Sequence, residues 1–457
     1  MVFKTGRMRI PLAIPLCLFT TNFLIPSLPA SADQSVQAIL HRAEAEISKM
    51  KEPNGQGLAL APLAAALARS GDLPAARRAV SKIAESFRAV GADYVIQYQV
   101  KVGDIEGAQK MAASFRQAPD REWALWKLAA ALADAHKWKL ADEALDRLSE
   151  VQWRSMALRD VAESKAKYGD LSGALSMVGQ IPYGSDRVAI HVAVAMYQYQ
   201  HHRVEEVKKT LKNALAEAAS VPEDWGRTQA YVNVVEGQMR IGDIASARAV
   251  LGQALADRQR ISNRFYKTVS LNEVAEEFAK IGDTDRAISL AENEPIGKDR
   301  DWAFRSIAPA IAGHDGPKAV KVSQNIRDRR TRLNALTAVA RAQARQGRFA
   351  EALRTSQLIT GSQSALDWTW AGLAAIEARA GKPEDAIALI KRIKINVVRA
   401  QPLAAACRSL ARSGKTQQAL EAAIHASSPD ERAQALVGVA QGIMDREGRP
   451  AVLPPDL

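Results

Sequence analysis

Five arginines stand at fixed distances ahead of three glycines in the C-terminal half of the sequence. Arg341 and Arg345 lie six and two residues before Gly347, Arg379 lies two before Gly381, and Arg408 and Arg412 lie six and two before Gly414. A guanidinium is a planar fork of donors that matches a carboxylate or phosphate, so five on one surface would grip an acidic ligand. A cation also stands two before a glycine at Arg69, Lys101, Lys167, Arg240 and Lys280, where it need only complement a helix C-terminus. Arg341 and Arg408 therefore carry the distinguishing information.

Glu163, Glu236 and Glu276 each stand six before a glycine. Two carboxylates roughly 6.5 to 9.5 Å apart would suit inverting glycoside hydrolysis, but Glu236 and Glu276 precede Arg240 and Lys280 by four residues, the spacing of an ordinary helical salt bridge. The sequence holds no His-Glu-x-x-His, Cys-x-x-Cys or Gly-x-Ser-x-Gly and no phosphate-binding glycine loop, so no enzyme is expected. His201 and His202 are adjacent and point in different directions on a helix, a poor metal site. His191 and Cys407 fall on core positions. No metal or cofactor is expected.

Of the 457 residues, 47% are hydrophobic, 25% charged and 5% aromatic. The scarcity of β-branched and aromatic runs argues against a sandwich or barrel and for closely packed helices. Residues 1 to 32 place Lys4, Arg7 and Arg9 before an apolar stretch from Ile10 to Leu28 and a small-residue site, Ala30-Ser31-Ala32. This pattern predicts a secretory signal peptide cleaved after Ala32 and a periplasmic or secreted bacterial protein, the competing reading being a retained anchor. Pro11, Pro15, Pro26 and Pro29 make the segment a poor spanning helix. Without it the chain keeps 59 basic and 50 acidic side chains, and positions 301 to 400, with 17 basic and 8 acidic, hold the whole excess. A localised basic surface suits an acidic partner. Lys391, Arg392, Lys394 and Arg399 would suit a membrane surface or a solvated helix end. No nucleic acid is expected of an exported chain without interleaved aromatics.

These residues are positioned by an internal repeat. Glycine followed by a polar residue, with alanine five beyond the glycine, recurs at Gly71, Gly103, Gly169, Gly242, Gly282, Gly347, Gly381 and Gly414, with degenerate copies at His136, His202 and Gly313. About eleven units of 31 to 40 residues result. Each reads as two helices joined at the glycine, which takes the left-handed conformation that ends the first helix. The next residue, Asp72, Asp104, Asp170, Asp243 or Asp283, would cap the second helix. Asp120, Asp186 and Asp430 would cap first helices. Leu125, Leu128 and Ala129 precede His136 at the offsets at which Leu336, Val339 and Ala340 precede Gly347, the stripe of a buried helix face.

A small residue seven before the glycine, the glycine itself and the alanine beyond it resemble the tetratricopeptide (TPR) repeat over roughly residues 55 to 448. The repeat-closing proline is mostly missing, and an aromatic opens the first helix only at Tyr231, Trp302 and Trp370. The resemblance implies an all-α, right-handed superhelical solenoid, with a helix or cap at 33 to 54 and a flexible tail at 449 to 457. It also implies a concave groove lined by positions 13, 10, 6, 3 and 2 before each glycine. That register gathers the five arginines on one stretch and Trp123, Trp126, Met156, Met196, Tyr199 and Met239 on another, where they would anchor a peptide or pack between repeats. Trp370 is assigned to packing. The expected function is a non-catalytic scaffold taking a protein or peptide partner in the groove. The alternative is a binding module for an acidic envelope polymer or anionic lipid.

Overall fold

The computed structural model describes residues 30 to 450. The segment read as a signal peptide lies outside the described residues up to position 29, as does the tail from 451. Among the described residues the regular structure is entirely helical. After α1 (Ala30–Ile47) come α2 (Pro53–Arg69) with α3 (Leu73–Lys82), α4 (Glu85–Lys101) with α5 (Ile105–Ala113), α6 (Ala118–Asp134) with α7 (Trp138–Leu145), and α8 (Val151–Lys167) with α9 (Leu171–Ser176). Next are α10 (Gly184–Gln200) with α11 (Val204–Ser220), α12 (Asp224–Arg240) with α13 (Ile244–Arg258), α14 (Arg264–Lys280) with α15 (Thr284–Glu292), and α16 (Lys298–Ile311) with α17 (Gly316–Gln324). The chain ends with α18 (Arg329–Arg345) and α19 (Phe349–Gln357), α20 (Gln363–Arg379) and α21 (Pro383–Ile390), α22 (Ala400–Arg412) and α23 (Thr416–Ile424), then α24 (Pro429–Arg446). Among the described residues, eleven helix pairs are thus followed by the single helix α24.

Turn chemistry sets the pairs. Gly71 has φ +94°, and the N–H of Asp72 donates to the Leu67 carbonyl, closing α2. His136 and His202 adopt the same left-handed conformation, with φ +59° and +58°, so the degenerate copies keep the turn at the cost of a Cβ. The turn after α16 is one residue shorter: Asp315 donates back four residues, to Ile311, and not five. Asp72, Asp104, Asp170 and Asp243 cap their helices by accepting from the N–H three residues on. Asp283 makes no such bond and faces Arg248 at 3.3 Å. Asp120, Asp186 and Asp430 are not caps. They sit inside first turns begun by Gln117, Tyr183 and Ser428, where a negative charge still complements the helix N-terminus.

Each first helix touches the first helices before and after it, whereas each second helix sits between two first helices. Contact along one row and separation along the other make the first helices the concave side. Close approach depends on small residues: Ala64, Ala129, Ala162, Ala275, Ala374 and Cys407, all seven before the turn residue, are fully buried. Burial pushes the Cys407 thiol up to about 12, as befits a spacer. Between layers, buried carboxylates accept from free loop N–H groups, Glu122 from Ser149, Asp301 from Asp328, and Asp367 from Ile395. First-turn arginines reach back to the preceding loop, Arg187 to the Ile181 carbonyl and Arg332 to that of Ile326. Much of the arginine content is therefore spent on loop anchoring.

The solenoid closes on itself. The helix expected as an N-terminal cap lies between α24 and α2, as every second helix lies between two first helices, and α2 also touches α24. A cap would have had a polar outer face; α1 instead buries Val36, Ile39, Leu40, Ala43 and Ile47. It completes a twelfth layer whose two helices come from opposite ends of the chain. At the seam Asp445 binds Arg69 at 2.7 Å and Arg408 at 2.7 and 3.2 Å. Arg69 also donates to the Arg449 carbonyl at 2.7 Å, and Arg432 meets Glu46 at 2.8 Å. Arg449, read as the start of a flexible tail, is thereby tied to the ring. α22 and α24 are in backbone contact, because a Cβ at Gly438 or Gly442 would strike the carbonyl oxygen of Ala404 or Arg408.

Burial alone would raise the Asp445 carboxyl, but the bonds and charges of Arg408 and Arg69 hold it below the usual range. Asp445→Ala strands a guanidinium that is only 6% exposed. It should cost about 3 kcal/mol or more in denaturant unfolding. Lys110→Ala, which removes an exposed pair with Glu106, should cost under about 0.5 kcal/mol.

Candidate functional site

The concave face has a register of its own. One cleft of about 410 Å³ is lined by Ala130 and Asp134 of α6, Asp160, Glu163, Ser164 and Lys167 of α8, Ala193, Met196, Tyr197 and Gln200 of α10, and Arg240 of α12. Counted back from each turn residue, these are positions 9, 6, 5 and 2. Three- and four-residue steps trace one stripe of a 3.6-residue helix. The expected positions 10 and 3 fall off it. Trp126 and Tyr199, placed in the groove by those offsets, do not line the cleft; positions 6 and 2, which carry the arginines, do belong to the stripe.

The arginine array is partly dismantled by the ring. Arg408 is committed to Asp445 at the seam. Its assignment as a free ligand group is corrected, because no open solenoid would have supplied that carboxylate. Arg341 lies against Gly372 and donates to the Trp368 carbonyl at 2.9 Å, with its Nε buried and unsatisfied. Burial, then the nearby Arg345, lowers its pKa. Arg345, Arg379 and Arg412 are exposed, and none meets a carboxylate among the described residues. At the same position elsewhere, Arg69 holds Asp445, Lys167 faces Asp134 at 3.9 Å, Arg240 faces Glu236 at 3.9 Å, and Lys280 binds Glu277 at 2.6 Å and Glu276 at 3.0 Å. The three exposed arginines differ from these in lacking a counter-charge, a distinction that spacing alone does not reveal.

The apolar anchors are largely packing. Trp123, Trp126 and Trp153 form one cluster with ring centroids 5.2 to 5.9 Å apart. Trp126 is 6% exposed and donates its indole N–H to Asp160 at 2.8 Å. Trp123 is half-buried with its indole N–H unsatisfied. Tyr199 is exposed, apart from both groups. Trp370 is buried, as expected. Of the four basic residues near the end of α21, Arg392 lies over the Trp370 ring and Arg399 binds the Ile393 carbonyl. No helix of the described residues is long and apolar enough to cross a membrane, and they hold no group of three or more metal-binding side chains.

Carboxylates gather on α8 and on α14. Burial pushes Glu163 up to about 7, with Asp160 and Asp186 adding to the effect against Arg159 and Arg240. Burial also pushes Glu273 up to about 7, followed by the repulsion of Glu276 and Glu277. Burial works against the Lys280 ammonium, but Glu277 and Glu276 outweigh it and hold its pKa above the ordinary value. In a closed ring of twelve first helices, six layers separate opposite sides. Asp160 and Glu163 of α8 therefore lie across the opening from Arg379 of α20, whereas Glu273 of α14 stands two layers before α18. Asp160 and Glu273, both nine before the turn, were missed because the expected register omitted that position.

No protein-family model matches the chain, and no curated protein does. Among solved structures it is similar to Ton1535 from Thermococcus onnurineus NA1, at 13% identity and a TM-score of 0.30 over 69% of this chain and 98% of that one. It is also similar to a Rap protein complexed with competence and sporulation factor, at 12% identity and 0.30 over 74% and 99%. A monomeric IFIT1 mutant with Gppp-AAAA is similar at 13% identity and 0.27 over 91% and 94%.

Glu163 and Glu273 bind protons in the folded chain that the unfolded chain, with a carboxyl near 4.5, would release. Their contribution is full below about pH 4.5 and is lost as pH rises through about 7. Glu273→Gln should therefore raise the thermal midpoint at about pH 8 and flatten its decline from about pH 5. A decline as steep as that of the unsubstituted chain would refute the buried-carboxyl assignment.

Proposed function

We propose that this chain is a TPR-type binding ring without catalytic function, which takes an acidic partner against the arc carrying Arg345, Arg379 and Arg412. The observation behind this reading is the missing counter-charge: equivalent cations at Arg69, Lys167, Arg240 and Lys280 face carboxylates, and these three do not. Successive first helices packed side by side are about 8 to 10 Å apart, so the row suits an extended ligand with repeated negative charge. The primary reading is a protein scaffold whose partner is an acidic peptide segment. The second, an acidic envelope polymer or anionic lipid, is favoured by the consumption of Trp126 in packing, which leaves charge as the main means of recognition.

Export to a bacterial periplasm or cell surface belongs to the same proposal. The apolar residues described as buried by α1 at the seam, Val36, Ile39, Leu40, Ala43 and Ile47, lie after Ala32, so cleavage there would keep them in the ring.

The test uses residues 33 to 457 with three immobilised probes: poly-L-glutamate, polygalacturonate and phosphatidylglycerol vesicles. Arg345→Glu/Arg379→Glu/Arg412→Glu should lose about tenfold or more in affinity for the probe that binds, and binding should fall steeply with ionic strength. Preference for polyglutamate supports the scaffold, and preference for the others the second reading. Equal binding by the triple variant would remove the arginine row from the function.

A further inference from the structure

The cleft on the opposite arc is distinct from the arginine row and has the reverse character. We propose that the cleft between α6, α8, α10 and α12 binds a small organic cation carrying a primary amine on an alkyl chain, with Glu163 as its counter-charge. Its volume of about 410 Å³ is that of a small-molecule site. Ala130, Ala193 and Met196 supply an apolar lining for an alkyl chain, and Tyr197 and Gln200 supply neutral polar groups.

The charge accounting singles out Glu163. Asp160 accepts from the Trp126 indole at 2.8 Å and from Arg159 at 3.3 Å. Asp134 accepts from the Ser164 hydroxyl at 2.8 Å, with the Lys167 ammonium at 3.9 Å. Arg240, from α12, faces Glu236 at 3.9 Å. Within ion-pair distance Glu163 has only Arg159, at 3.8 Å, a guanidinium already divided between Asp160 and Asp186, the latter at 3.1 Å; Arg240 acts on it only at longer range. With 43% of its side chain exposed, Glu163 is reachable by a ligand. Its raised pKa agrees with a carboxylate that lacks a dedicated cation. A metal ion fits poorly, since no group of metal-binding side chains converges among the described residues. An anion would meet three carboxylates. A compact ammonium with three donors meets the requirement.

Binding must discharge the Glu163 proton, which couples affinity to pH. With a carboxyl near 7 and an amine that stays charged throughout, affinity should be about tenfold higher at pH 8 than at pH 6. The experiment is calorimetric titration with cadaverine, using 1,5-pentanediol as the uncharged analogue of the same length. Cadaverine should bind and the diol should not. Glu163→Gln, which preserves shape, should lower affinity at pH 8 by about tenfold and abolish the pH dependence. Ala193→Phe keeps the carboxylate but fills the cleft, and should also abolish binding. Absence of cadaverine binding, equal binding of the diol, or unchanged affinity and pH profile in Glu163→Gln would overturn the proposal. Retained binding in Ala193→Phe would do so too, since it would assign the amine to a surface carboxylate outside the cleft.

Discussion

Among the described residues the last first helix is α24, and the ring closes because α1 packs between α24 and α2 in the place a second helix takes in every other layer. An open solenoid leaves an apolar face at each end, and its stability is roughly a sum of layer and neighbour terms. Here each end covers the other. The Arg432–Glu46 pair joins residues 386 positions apart, a contact whose entropic cost grows only slowly with loop length. The seam combines apolar burial by α1 with the carboxylate of Asp445 held between two guanidiniums. Such a buried arrangement contributes register as much as energy, because a layer slipped by one turn would leave a charge unpaired.

Closure also determines which side chains are available for binding. The concave stripe repeats on every first helix, so its composition varies around the opening without altering the scaffold. Where the stripe carries a carboxylate beside a cation, as at Glu276 and Lys280, the charges satisfy each other. Elsewhere they do not: the exposed Arg345, Arg379 and Arg412 lack carboxylates, and Glu163 and Glu273 are pushed toward neutrality by burial first and then by neighbouring acids. One opening thus has a basic arc facing the carboxylates of α8, with those of α14 nearer to it, a distribution that the net charge of +12 conceals.

The turn residues made the fold legible from local rules. A left-handed turn needs glycine or a tolerated exception, a second helix needs a cap, and close helices need alanine or cysteine at the contact; Gly71, Asp72 and Cys407 satisfy these requirements without reference to the rest of the chain. The degenerate turns at His136 and His202 were legible from spacing alone. The site was legible only by position. Arg345, Arg379 and Arg412, two before the turn, shared an offset with ordinary helix-end cations, and Arg408, six before it, looked the more distinctive, because the residue that neutralises it stands on the next first helix, α24, and at no fixed sequence distance.

By itself, the sequence determined the helix pairs, their turns, the small-residue contacts and the uneven distribution of positive charge, all consequences of interactions within about forty residues. Tertiary structure decided that the array closes, that Trp126 is spent in packing, that the concave stripe runs through positions 9, 6, 5 and 2, and that Glu163 lacks a cation of its own. Each of these depends on what faces a side chain across a helix interface. That is fixed by the curvature summed over twelve layers, to which no single repeat is sensitive.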